Sequence, residues 1–167
     1  ENAPIFYFRD DRDRAAMLAW RAALKAAGKS LVFSNGVFDL VHAGHVSYLR
    51  DARNLGDALI IGLNSDSSVR AIKGPKRPLQ HEEDRATLLA SLRATDAVAV
   101  FDTETPLELI TALIPDVLVK GGDYSRETIV GADCVEQHGG RVLTIPLTEG
   151  RSTSGIVERI LERYSGS

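Results

Sequence analysis

Two histidines stand three apart, His42 and His45, inside the string "SNGVFDLVHAGHVSYLRDARNLGD" (residues 34–57). A strand-like run, "LVF" (31–33), comes just before them. An amphipathic run, Val46, Leu49, Ala52 and Leu55, comes just after. The pair therefore falls where a strand turns into a helix. A helix entrance offers free backbone N–H groups and positive potential, which suits an anion such as phosphate. Two imidazole N–H donors there would add to that field, and Gly44 between them lets backbone approach a ligand closely. Two blander uses compete. A histidine at a helix start can be a solvated or capping residue. Zinc also takes histidine, but it needs further ligands, and the lone Cys134 is far away in sequence.

The surrounding elements must hold this turn in place. Residues 13–27 have helix-forming composition, and Gly28 is a natural stop. The run 58–63, "ALIIGL", is continuously apolar, as in a parallel strand covered on both faces. Residues 82–94 read as a helix with acids early and Arg93 late. Further strands are expected at 97–101, 116–122 and 142–146. Further helices are expected at 106–114, with Pro106 at its start, and at 152–164, capped by Ser152 or Thr153. Residues 73–84 read as a loop carrying Lys73, Lys76 and Arg77. The alternation predicts a Rossmann-like open parallel α/β sheet of about five strands with helices on both faces. The whole chain, 1–167, reads as a single domain with residues 1–28 as a helical lead-in. In such a sheet, ligands bind beyond the carboxyl ends of the strands, where the histidines fall.

Composition narrows the function classes. Of 167 residues, 44% are hydrophobic and 26% charged, and the formal net charge is −3. That balance gives no basic surface for nucleic acid. The single cysteine rules out an intramolecular disulfide. No apolar run approaches the ~20 residues of a membrane span, and the first residues do not read as a signal peptide. A cytoplasmic location is expected. "GKS" (28–30) mimics the tail of a phosphate-binding loop, but Ala23 stands where that loop needs glycine and a strand follows where it needs a helix.

The string "GVFDLVHAGHVSYL" resembles the signature of the nucleotidyltransferases related to cytidylyltransferases, with Phe38-Asp39 and the HxGH tetrad His42–His45 in place. Later landmarks follow in order: "GLNSD" (62–66), Lys73, Arg85, Asp96, "KGGDY" (120–124) and "EGRSTSGI" (149–156). Within that superfamily, "HAGHVSYL", "GLNSDSSVR", "KGPKRPL", "PDVLVKGGDY" and "GRSTS" are most similar to the branch of adenylyltransferases acting on D-glycero-D-manno-heptose 1-phosphate. The alternative is a cytidylyltransferase for a small alcohol phosphate such as glycerol 3-phosphate. Those enzymes carry arginine where this chain has Leu147, and "GDD" where it has Gly121-Gly122-Asp123.

The resemblance implies transfer of AMP from ATP to heptose 1-phosphate, giving ADP-heptose for lipopolysaccharide core assembly. It implies Mg2+ travelling with the ATP phosphates, no resident metal, and a homodimer. His42, His45 and Lys73 would act at the reacting phosphates. Asn35, Gly36, Phe38, Asp39, Gly44, Gly121, Asp123, Ser152, Thr153 and Ser154 would border the nucleotide. Asp39 would either orient a histidine, help place magnesium, or simply cap the following turn. Asp66, Lys76, Arg77 and Arg85 are weaker candidates for the sugar phosphate, with Arg85 alternatively pairing a neighbouring acid. Cys134 and His138 are expected to be structural. Only about 30 residues precede the stretch 31–163 that carries the resemblance, too few for a separate kinase domain, which needs at least ~50. The sugar is therefore expected to arrive already phosphorylated.

Overall fold

A computed structural model describes residues 1–166. In chain order the elements are β1 (Ile5–Tyr7), α1 (Asp11–Ala26), β2 (Leu31–Gly36), α2 (Ala43–Arg53), β3 (Ala58–Asn64), α3 (Asp66–Lys73) and α4 (Glu82–Ala90). Then come β4 (Ala97–Phe101), α5 (Leu107–Leu113), β5 (Val117–Gly121), a single 3-10 turn (Arg126–Thr128), α6 (Ala132–Gln137), β6 (Arg141–Ile145) and α7 (Thr153–Tyr164). The six strands form one sheet in the order β1-β4-β3-β2-β5-β6, and every pairing is parallel. Parallel neighbours need crossover connections, which place the helices on the two faces.

Both faces of the sheet are covered, so its central strands are apolar throughout. All seven residues of β3 are buried. Side chains alternate across the sheet. Leu31, Phe33 and Ile60 join Met17, Phe101, Leu109 and Val135 on one face. Val32, Leu59, Ile61 and Leu63 join Leu49, Leu89 and Val119 on the other. From β2 the chain builds the sheet outward through β3 and β4, then returns to lay β5 on the other side of β2. That reversal makes β2 the switch point, where two loops diverge and leave a crevice.

The structure corrects the expected outline in three places. The strands number six, because residues 1–28 are not simply a helical lead-in. Ile5–Tyr7 pairs with Val98–Val100 at the sheet edge, and Asp10 then caps α1 by accepting from the N–H groups of Arg12 and Asp13. Lys73 does not lie in a loop but closes α3, a helix capped by the Ser65 hydroxyl. α4 stops at Ala90, short of residue 94. No helix among the described residues is long and apolar enough to cross a membrane.

Candidate functional site

The strand β2 ends at Gly36, and the chain turns into α2 through Phe38, whose φ of 48° lies in the left-handed region. A non-glycine residue there is strained, and such strain concentrates at functional turns. Phe38 is held by burial and by its ring against His45, with centroids 5.2 Å apart.

The two histidines cap α2 reciprocally. His42 precedes the helix, and its Nδ1 accepts from the Gly44 N–H at 3.1 Å. Nδ1 of His45 accepts from the His42 N–H at 3.2 Å. The rings stack at 3.8 Å. The capping use and the anion-binding use are therefore compatible. A neutral imidazole accepting at Nδ1 carries its proton on Nε2, so each ring keeps one free donor. Both rings are held neutral at pH 7. Burial, then the nearby His42, pushes His45 down to about 4. Burial, then the charge of Arg151, lowers His42. Gly44 leaves no room for a side chain: a Cβ would stand 2.9 Å from His42 Cε1 and 3.2 Å from Arg151 Cβ.

Facing this turn is the start of α7. Ser152 caps it, accepting from the Gly155 N–H at 2.9 Å. Thr153 is not the cap. Its hydroxyl donates to the Leu40 carbonyl at 3.3 Å, which ties α7 to the segment leading into His42. Two helix starts thus open on one cleft of about 430 Å³. The cleft brings together Asn35, Gly36, Phe38, His42, Gly44, His45, Lys73, Gly121, Ser152, Thr153 and Ser154. Its donors are imidazoles, ammonium groups, hydroxyls and helix N–H groups, a set suited to a polyanion. Among the described residues no group of three or more His, Cys, Asp or Glu is gathered to hold a metal.

Other expected residues stand elsewhere. Asp39 is buried, and its hydrogen bonds run to the 77–80 loop. Its carboxylate accepts from the N–H groups of Leu79 and Gln80 at 2.9 and 3.0 Å and from Arg77 at 3.1 Å, clamping the 77–80 loop. Arg77 is thereby engaged. Arg85 is wholly buried. Its guanidinium donates to the carbonyls of Gln80, Val37 and Asn64 and to Asp66, so the pairing with a neighbouring acid is what the structure contains. Lys76 and Asp123 are exposed and do not line the cleft. His138 Nδ1 lies 2.7 Å from the Cys134 carbonyl on α6, remote from the cleft residues.

Several lining residues were not foreseen. Tyr48 shares a 2.7 Å hydrogen bond with Ser34 and donates to the Val119 carbonyl. Burial pushes its hydroxyl up to about 12. Lys120, Tyr124, Thr148 and Arg151 complete the wall. Of these, Arg151 carried a signal, since a basic residue directly before an N-cap reinforces an anion site.

An open parallel sheet with two helix starts facing a cleft at its switch point defines a nucleotide-binding α/β protein. The chain belongs to the Cytidylyltransferase-like family, whose model matches residues 33–159, and it is a nucleotidyltransferase. It is 60% identical over 144 residues to the bifunctional protein HldE of Trichlorobacter lovleyi, covering 86% of this chain and 29% of that protein. With the HldE of Syntrophotalea carbinolica it is 62% identical over 137 residues, 82% of this chain and 28% of that one. The chain thus spans about three tenths of the length of these curated relatives. Among solved structures it resembles a lipopolysaccharide core biosynthesis protein from Thermoplasma volcanium, with a TM-score of 0.59, 25% identity, and coverage of 74% of this chain and 99% of that one. It shares its fold with a pantoate-beta-alanine ligase from Francisella tularensis, at a TM-score of 0.61 and 15% identity, covering 91% and 69%.

Proposed function

We propose that the chain transfers AMP from ATP to D-glycero-D-manno-heptose 1-phosphate, releasing pyrophosphate and forming ADP-heptose for the lipopolysaccharide core. The observation that carries nucleotidyl transfer is the pair of helix starts, α2 with its two neutral histidines and α7 with Ser152, Thr153 and Ser154, across one cleft. The similarity to the HldE proteins and to the lipopolysaccharide core protein supports the heptose substrate.

A phosphomonoester oxygen is already anionic near neutral pH, so the attack on the α-phosphorus needs no strong base. The protein aligns the reactants and stabilises charge spread over phosphoryl oxygens. His42 and His45 donate from Nε2 to those oxygens as neutral groups, fixed in tautomer by the backbone N–H groups at Nδ1. Losing one such preorganised donor typically costs a factor of about 10²–10³ in rate. The α7 start, with Arg151 beside it, receives the pyrophosphate end of ATP. ATP enters as its magnesium complex, the usual form in which this ion is bound chiefly by substrate phosphates.

The test is pyrophosphate release from a panel of ATP and CTP against heptose 1-phosphate and glycerol 3-phosphate. ATP with heptose 1-phosphate should give the highest kcat/KM. The exposed apolar Leu147 on the cleft wall, packed toward Gly121, supplies no charged contact of the kind an arginine would make there. A preference for CTP, or for glycerol 3-phosphate, would replace this reading with the small-alcohol cytidylyltransferase.

A further inference from the structure

A second cleft, of about 420 Å³, opens beside the first. The two share the end of β2, Asn35, Gly36 and Val37, together with Lys73, Lys120 and Tyr124. The shared wall therefore holds two cations from opposite flanks of the switch point, Lys73 at the end of α3 and Lys120 on β5. Beyond them the second cleft is lined by the polar Asn64, Glu104, Thr105 and Thr128 set among apolar residues that include Ile72, Val119 and Ile129. Its polar members offer donors and acceptors for hydroxyl groups, and it lacks the imidazoles and Arg151 of the first cleft.

Lys120 is half-buried, with its ammonium 5.2 Å from the Tyr124 ring centroid. Among the described residues no carboxylate pairs with it, whereas buried Arg85 and part-buried Arg77 each have one. Burying an unpaired ammonium is unfavourable, and burial lowers its pKa. A site that keeps such a cation in a cleft is suited to a ligand that brings the opposite charge. The other basic residues nearby are less well placed. Arg85 is spent on carbonyls and Asp66, Arg77 on Asp39, and Lys76 lines neither cleft.

We propose that Lys120 binds the phosphate of the acceptor at the junction of the two clefts, with the hydroxyl-bearing remainder of that acceptor in the second cleft. This rests on the nucleotidyl-transfer reading above. One phosphate oxygen of the acceptor forms the new bond to the α-phosphorus of ATP. The bond from that phosphorus to the oxygen bridging to the β-phosphorus breaks, and pyrophosphate leaves with the electron pair. Lys120 transfers no proton. It neutralises and orients the incoming phosphate, which would otherwise be repelled by the triphosphate.

The experiment compares wild type, Lys120→Met, Lys120→Arg and, as a surface control, Lys29→Met. Pyrophosphate release by the wild type with ATP and heptose 1-phosphate comes first, and its absence would overturn the functional reading and this inference together. With an active wild type, Lys120→Met should raise the KM for heptose 1-phosphate about 10- to 100-fold, as loss of a charge-assisted hydrogen bond implies, with the KM for ATP within threefold. Calorimetry with heptose 1-phosphate alone should show the same loss of affinity. Lys120→Arg should recover most of it, and Lys29→Met should behave as wild type. A packing role predicts the reverse order, with methionine tolerated and arginine harmful. That order, an unchanged acceptor KM, or a rise in the ATP KM instead would overturn the assignment while leaving nucleotidyl transfer standing.

Discussion

Replacing Arg85 by leucine should cost the protein stability before anything else. The side chain is fully buried and makes four hydrogen bonds, to the carbonyls of Asn64 (2.7 Å), Val37 (2.8 Å) and Gln80 (3.0 Å) and to the Asp66 carboxylate (2.8 Å). Breaking a buried ion pair from one side costs about 3–5 kcal/mol. Each buried acceptor left without its donor adds to this, by about 1–3 kcal/mol where it cannot relax. The Asp66 carboxylate keeps His81 Nδ1 as a neighbour, 3.5 Å away. Leucine returns about 1.5–3 kcal/mol by burying apolar surface. Taken at the ends that give the smallest loss, these terms leave a net loss of about 3 kcal/mol. For a chain of this length that lowers Tm by about 6–12 °C. Thermal and urea melts measure it directly, with an unchanged urea slope indicating the same surface exposed on unfolding. A variant that melts within 2 °C of wild type, and shows only a raised KM for the sugar phosphate, would refute the structural role and make Arg85 a ligand-binding residue.

Three further outcomes are expected. His45 titrates near 4 in the folded chain against an ordinary 6.5, so the unfolded chain takes up its proton first. Its contribution to stability is complete above about pH 6.5 and is lost as pH falls toward 4; the unfolding free energy from urea melts should fall more steeply with decreasing pH in wild type than in His45→Gln, and identical profiles would contradict the neutral, buried ring. His45→Ala should lower kcat about 10²–10³-fold with a cooperative melt retained, and turnover within threefold of wild type would remove the residue from the chemistry. Thr153→Ala should keep the Ser152 cap yet lose the tie to Leu40, raising the KM for ATP at a stability cost of about 1 kcal/mol or less; normal ATP kinetics would mean that the tie does not position the α7 start.

The sheet was legible where strands are long and apolar. β3 and β4 read as unbroken hydrophobic runs and stand where expected, because burial on both faces leaves no polar positions to blur them. β1 was missed because three residues after a proline give too little pattern, and its pairing with β4 is decided some 90 residues later in the chain. α3 was missed because "SDSSVRAIK" is rich in serine, and its cap and its single buried turn show only once Ser68 meets the Thr103 carbonyl. The histidines were legible through spacing, and their reciprocal capping was not, since it depends on ring orientation. The family resemblance implies site roles for Asp39 and Arg85, and nothing in the sequence tells which way their side chains turn. The structure turns both inward to hold the backbone that forms the cleft. Lys120 stands in the landmark "KGGDY", and nothing local in that string tells that the lysine is half-buried without a counter-charge.

The match to the family begins at residue 33, yet the packing does not. Met17 is fully buried in the core beside Phe33, and Arg21 reaches across to the carbonyls of Leu113 and Ile114 and to Asp116. Arg9 joins Glu82 at the start of α4 to Asp102 after β4. The first 26 residues are thus sewn into the sheet at its outer border and under its helices. What is inherited as a recognisable signature and what folds as a body have different margins. Anyone trimming this chain to the recognisable part would cut through the hydrophobic interior and leave β4 as a bare edge, open to pairing with a neighbouring molecule.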